Sequence, residues 1–162
     1  MPIDLYRIDD RLVHGQVVVG WGQPLNVTFI VLVDDTIAAS EWEQELYCMG
    51  APPEISVTFE SVDSAVAHLA EYQARLANGI LLTGDIDTMR RLVKAAGTID
   101  SVNLGGIHHR VGRLPKLRYI FLAPDEEIAL RELAATGVTI TAQDVPATAP
   151  IPLEEVLAAT GE

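Results

Sequence analysis

An α/β fold with a mostly parallel sheet is predicted by three features of the chain. Short, β-branched apolar runs alternate with segments of helical spacing. The runs are apolar on both faces, as in strands covered by helices on both sides. The 162 residues, 49% hydrophobic and 21% charged, suit one domain over residues 1–162 with a sizeable core.

The elements follow in order. Ile3–Ile8 reads as a strand, and Gly15 to about Gly22 as a helix. Val27–Val33 is a nearly continuous apolar strand that ends at Asp34-Asp35. A helix follows from Ser40 to Met49, starting as early as Thr36, and then a strand at Ser56–Phe59. Ser61 opens a helix to about Ala77, with Ala65, Leu69, Tyr72 and Leu76 spaced along one face. After the strand Gly79–Thr83, Asp85 caps a helix through Ala96 that Gly97 stops. Ser101–Leu104 and Tyr119–Leu122 are strands on either side of Gly105–Lys116, a long connection rich in His, Arg and Gly. Pro124 opens a helix with acidic residues in its first turn, closed by Gly137. Val138–Ala142 is the last predicted strand, Ala147–Pro152 a loop, and Pro152-Leu153-Glu154-Glu155 opens a short terminal helix.

The formal charge of −12 and pI of about 4.6 argue against nucleic acid, whose phosphates are neutralised by Lys and Arg. They argue equally against an anionic lipid surface. No apolar run approaches the ~20 residues of a membrane span, so direct membrane insertion is not expected. Met1–Arg7 lacks the apolar stretch of a signal peptide, and the single Cys48 cannot form an internal disulfide. A cytoplasmic, reducing setting is the expectation. The charges are unevenly spread. Leu12–Ala74 holds nine Asp and Glu and no Lys or Arg, whereas Arg110, Arg113, Lys116 and Arg118 crowd into one loop region. That cluster either holds an anion or is a solvated basic loop.

Ligands of open parallel sheets bind beyond the carboxyl ends of the strands. The residues after the first strand carry the most chemistry. Neutral imidazole, with a pKa of about 6.5, attacks phosphorus without an added base, so His14 is a candidate nucleophile. Arg11 can neutralise a phosphoryl group, and the backbone amides of Gly15, Gln16 and Val17 can bind an anion at a helix N-terminus. Asp9 or Asp10 can hold one ring nitrogen as N–H and leave the other free. The competing reading is that His14 caps a turn and Arg11 pairs with Asp9 or Asp10. Thr83 is a candidate hydroxyl donor to phosphate or a helix cap. Asp34 and Asp35 are candidates to orient Arg11 or His14, or to cap a helix. His108 and Arg110 are candidate supports of the site or of a partner's surface. No metal site is expected, since adjacent His108 and His109 point apart and no chelating spacing accompanies them.

The segment Arg7-Ile8-Asp9-Asp10-Arg11-Leu12-Val13-His14-Gly15-Gln16-Val17 resembles the active-site segment of the enzyme IIB component of the mannose/fructose/sorbose class of the sugar phosphotransferase system. The similarity continues, in order, through Asp34-Asp35, Ala51-Pro52-Pro53, Leu81-Leu82-Thr83 and Ser101–Gly106. The resemblance implies a three-layer α/β/α sandwich with a mainly parallel, open twisted sheet of six to seven strands. It implies a phosphotransferase without a cofactor. In such a carrier His14 takes a phosphoryl group on Nδ1 from a phospho-IIA protein and passes it to a sugar held by the membrane components IIC and IID, with Arg11 as the active-loop arginine. It permits a homodimer. His108-His109-Arg110 departs from the pattern of the better-known transporters. A regulatory phosphocarrier or phosphate-sensing module without sugar transport is the alternative.

Overall fold

The computed structural model describes residues 3–161. Its strands are β1 (Ile3–Ile8), β2 (Val27–Val33), β3 (Ser56–Glu60), β4 (Asn78–Thr83), β5 (Ser101–Leu104), β6 (Leu114–Leu117), β7 (Ile120–Leu122), β8 (Thr139–Ala142) and β9 (Ile151–Pro152). Its helices are α1 (Asp35–Ala38), α2 (Glu41–Met49), α3 (Val62–Ala74), α4 (Ile86–Ala96), α5 (Pro124–Ala135) and α6 (Leu153–Ala158), with a π-helical segment at Gln16–Gly22. Seven strands form one sheet in the order β3-β2-β4-β1-β5-β8-β9, parallel except for the β8–β9 pair.

Side chains alternate across the sheet and build two apolar layers. Ile8, Val31, Leu81 and Leu104 face a core shared with Leu69 of α3, Met89 and Leu92 of α4, Leu130 of α5 and Val156 of α6. Ile30, Leu32, Ile80 and Leu82 face Val17, Val18 and Trp21 of the π-helical segment and Ile37 of α1. Helices therefore cover both faces, which is the predicted three-layer arrangement. Each fully buried Leu or Ile contributes roughly 1.5–3 kcal/mol.

Several boundaries differ from the sequence reading. The helix expected to start near Thr36 is two helices. Asp34 accepts a hydrogen bond from the Ile37 amide to cap α1, and Ser40 accepts from Glu43 to cap α2. Helix α3 ends at Ala74, so Leu76 lies off its face and is fully exposed. Arg75 instead lays its guanidinium over the rings of Phe29 and Tyr72, 4.5 and 4.8 Å from their centroids. The Tyr119–Leu122 run does not join the main sheet. Its β7 forms an antiparallel hairpin with β6, which lies in the stretch read as loop and strand flank. The seventh strand of the sheet is β9, within the predicted Ala147–Pro152 loop. Among the described residues no helix is long and apolar enough to cross a membrane.

Glu60, buried at the end of β3, collects His68 Nδ1 at 2.7 Å, Tyr72 Oη at 3.1 Å and Ser64 Oγ at 3.2 Å. Burial, then the charge and hydrogen bond of Glu60, push the Tyr72 hydroxyl up to about 12. The Glu60 hydrogen bond and charge raise His68 above its usual 6.5.

Two expected outcomes follow from this packing. A methyl group on Gly79 would overlap the Phe29 ring that lies against it. Gly79→Ala should therefore destabilise the fold by about 1–3 kcal/mol, measured as a lower urea midpoint with unchanged slope. Because the folded state raises the His68 pKa, this ion pair stabilises fully below the unfolded value of about 6.5 and fades as pH rises through the raised value. His68→Gln should flatten the fall in urea midpoint between about pH 6 and pH 9.

Candidate functional site

The loop after β1 is fixed by the two strands beside it. Arg7 lies in register with Leu82 of β4 and Asn103 of β5. Beyond β1, the Asp9 amide donates to the Thr83 carbonyl at 2.9 Å and the Asp10 amide to the Gly106 carbonyl at 2.8 Å. The sheet thus carries Asp9, Asp10 and Arg11 to its carboxyl edge.

Arg7 and Asp9 are fully buried. The Arg7 guanidinium donates to Asp9 at 3.2 Å, to the carbonyls of Gln143 at 2.8 Å and Asp144 at 3.2 Å, and to the Asn103 side chain. It also packs against the Trp21 ring, 4.9 Å from its centroid. A Cβ on Gly105 would overlap this guanidinium, so the bare backbone there makes room for it. Burial lowers the Arg7 pKa, partly offset by the Asp9 charge.

Arg11 approaches Asp9 from the solvent side. Its Nε and a terminal nitrogen each donate to a different carboxylate oxygen at 3.1 Å, and its amide donates at 3.1 Å. Burial alone would raise the Asp9 pKa. The Arg11 hydrogen bonds, with the Arg7 and His14 charges, outweigh it and hold the carboxyl below its usual range. Asp9 is thus an anion gripped from two sides by arginines.

His14 stands beside this cluster. Its Nδ1 lies 2.6 Å from the Leu12 carbonyl oxygen, which can only accept, so Nδ1 carries the proton. Nε2 is shielded, has no hydrogen-bond partner among the described residues, and sits 3.9 Å from Asp9. With 19% of its side chain exposed, His14 is half-buried. Leu12 has a φ of +59°, in the left-handed region, and its buried side chain anchors the turn. That conformation is costly for a non-glycine residue and directs the Leu12 carbonyl at the ring.

The Val18 amide donates to the His14 carbonyl at 2.9 Å, so the helical segment begins at the candidate nucleophile. The backbone of Gly15, Gln16 and Val17 forms its first turn, where amides lack intrahelical partners. Gly15 is exposed, and a Cβ there would meet nothing within 4 Å; the side chain of Gln16 lies outside the described part of the chain.

Other predicted residues are placed elsewhere. Thr83 is fully buried and its hydroxyl donates to the Asp85 carbonyl at 3.3 Å, so it serves the turn rather than an open anion site. Asp34 caps α1. Asp35 accepts from the Val62 amide at 2.9 Å and from Arg91 at 3.0 Å, and neither aspartate orients Arg11 or His14. Asp10 does not hold His14 but accepts from His108. Arg110 is exposed and has no ion-pair partner among the described residues. The rest of the basic cluster is neutralised: Arg113 forks onto both oxygens of Glu126, Lys116 pairs with Glu127 and Arg118 with Asp144. Among the described residues no three His, Cys, Asp or Glu gather closely enough to hold a metal ion. The residues that sequence reasoning missed are Arg7, which holds Asp9 from below, and Asn103, Trp21 and the Gln143-Asp144 carbonyls, which hold the Arg7 guanidinium in place.

Residues 3–162 match the family model described as PTS system sorbose subfamily IIB component. The chain is 34% identical over 142 residues to the sorbose-specific EIIB component of Klebsiella pneumoniae, covering 86% of this chain and 85% of that protein. It is 34% identical over 148 residues to the mannose-specific EIIAB component of Escherichia coli K12, covering 90% of this chain but 45% of that longer protein. The solved IIBSor domain of the Klebsiella pneumoniae sorbose permease superposes with a TM-score of 0.87 at 29% identity, covering 98% of both chains. The manxB structure from Thermoanaerobacter tengcongensis gives 0.87 at 32% identity, covering 96% of this chain and 95% of that one. On these matches, which run the length of the fold and pass through the His14 loop, the chain belongs to the sorbose subfamily of phosphotransferase-system IIB components.

Proposed function

We propose that this chain, as one IIB domain over residues 1–162, is a cytoplasmic phosphohistidine carrier. It takes a phosphoryl group from a phospho-IIA protein on His14 and passes it to a sugar held by IIC and IID membrane components. The observation that carries the reading is the His14 ring at the start of a helical segment, 3.9 Å from a carboxylate gripped by two arginines.

The chemistry follows from that arrangement. To present the Nδ1 lone pair, the ring leaves the Leu12 carbonyl, gives up the Nδ1 proton to solvent and takes one on Nε2, facing Asp9. The new Nδ1–P bond forms as the donor's N–P bond breaks, and the electron pair of the broken bond returns to the donor imidazole. Positive charge then rests on the His14 ring, where the Asp9 carboxylate offsets it. The outer N–H groups of Arg11 and the amides of Gly15, Gln16 and Val17 offer donors to the phosphoryl oxygens. Asp9 cannot drift toward the phosphoryl group, because Arg7 and Arg11 hold both its oxygens.

Incubation with phosphoenolpyruvate, enzyme I, the phosphocarrier protein and the cognate IIA should yield an acid-labile, base-stable phosphoryl label. It should vanish in His14→Ala; a label that persists there sinks the assignment. Arg11→Ala should slow the transfer by about 10²-fold, the usual cost of losing one donor to a transferring group. A rate equal to the parent's in a stopped single-turnover assay would remove the role given to Arg11.

A further inference from the structure

We propose that His108, oriented by Asp10, is the general base that takes the hydroxyl proton when the phosphoryl group leaves His14 for an alcohol. This rests on the carrier reading above and adds a residue to its second transfer.

Asp10 grips one residue with both carboxylate oxygens. One accepts the His108 backbone amide at 2.7 Å, the other its Nδ1 at 2.6 Å. A carboxylate accepts only, so Nδ1 carries a proton and the neutral ring turns its Nε2 lone pair outward. Half of the His108 side chain is exposed, so a substrate hydroxyl can reach it. The backbone is pinned as well, because Arg113 donates to the His108 carbonyl at 2.7 Å while its other nitrogens hold Glu126.

The ring stands beside Arg11 and Asp9 of the candidate site. A Cβ on Gly106 would fall 3.0 Å from His108 Cε1, 3.1 Å from Arg11 Nε and 3.1 Å from Asp9 Oδ1. Three groups thus converge over one bare backbone position. The groups nearest His108 are Asp10, Asp9 and Arg11 from the loop after β1, and Arg113, which reaches its carbonyl.

Chemical need selects His108 from that set. Transfer to an alcohol forms an O–P bond and breaks the N–P bond, whose electron pair returns to His14. The hydroxyl proton must go elsewhere. Arg11 cannot accept it. Asp9 is committed to two arginines and held ionised, which makes it a weak base. Both Asp10 oxygens are taken. His14 is the leaving group. His109 packs its ring edgewise on Phe121, 5.7 Å between centroids. The proton therefore passes to His108 Nε2, and the imidazolium formed is balanced by Asp10.

The test uses the full chain, labelled on His14, freed of donor proteins and placed in buffered water–methanol. Release to inorganic phosphate and methyl phosphate is followed by ³¹P NMR from about pH 6 to pH 9. The parent rate should rise with pH and then level, as general-base catalysis requires. His108→Gln should lower it by about tenfold or more and abolish the rise. Asp10→Asn should lose part of the rate, since the ring no longer has a fixed tautomer. Urea midpoints of the variants within error of the parent separate this from unfolding; if His108→Gln is destabilised, the Asp10→Asn profile decides. A parental rate and pH profile in either folded variant overturns the assignment. A label that survives His14→Ala defeats the carrier reading itself, a different result from a label on His14 whose release ignores His108.

Discussion

The site is organised around one buried anion. Asp9 has no solvent to stabilise it, and it is ionised because Arg7 donates from the core and Arg11 from the surface. Removing one partner of such a buried pair generally costs about 3–5 kcal/mol, more than most single contacts, because the remaining charge is stranded. The neighbouring features follow from accommodating this cluster. Gly105 clears space for the Arg7 guanidinium, Gly106 for Arg11 and His108, and the loop after β8 turns two carbonyls down onto Arg7. His14 then sits against a fixed negative charge rather than a mobile one.

How much of this was legible in the sequence depended on the distance over which partners act. Strand β2 was read with its observed bounds because a buried parallel strand is apolar on both faces. Helix α4 was read end to end because Asp85 caps it and Gly97 leaves it with a φ of +69°. The hairpin was not, since an apolar run such as Tyr119–Leu122 does not reveal which strand it pairs with, and β9 is two residues long and contains a proline. Within the site, His14, Arg11 and Asp9 were visible as neighbours in one loop. The role of Arg7 was not, because Asn103, Gln143 and Asp144 lie 96, 136 and 137 residues away, and the Asp10–His108 pair spans 98.

The basic cluster on the long connection illustrates the same limit. Its charge suggested an anion-binding surface, but Arg113, Lys116 and Arg118 each meet a carboxylate. Arg113 instead ties the connection to α5, with only 8% of its side chain exposed. A count of charges along the chain reports what is available; which charges remain open to a ligand is decided by the fold.

The two edges of the sheet bear on assembly. At one, β9 is only two residues long and its Pro152 has no amide to donate, so it offers little to an incoming strand. At the other, β3 presents a five-residue edge. Two copies joined by a two-fold axis through β3 would pair those strands antiparallel. Their carboxyl edges, and with them their His14 loops, would then point in opposite directions. A particle built that way would meet its partners at opposite poles, and neither visitor would crowd the other.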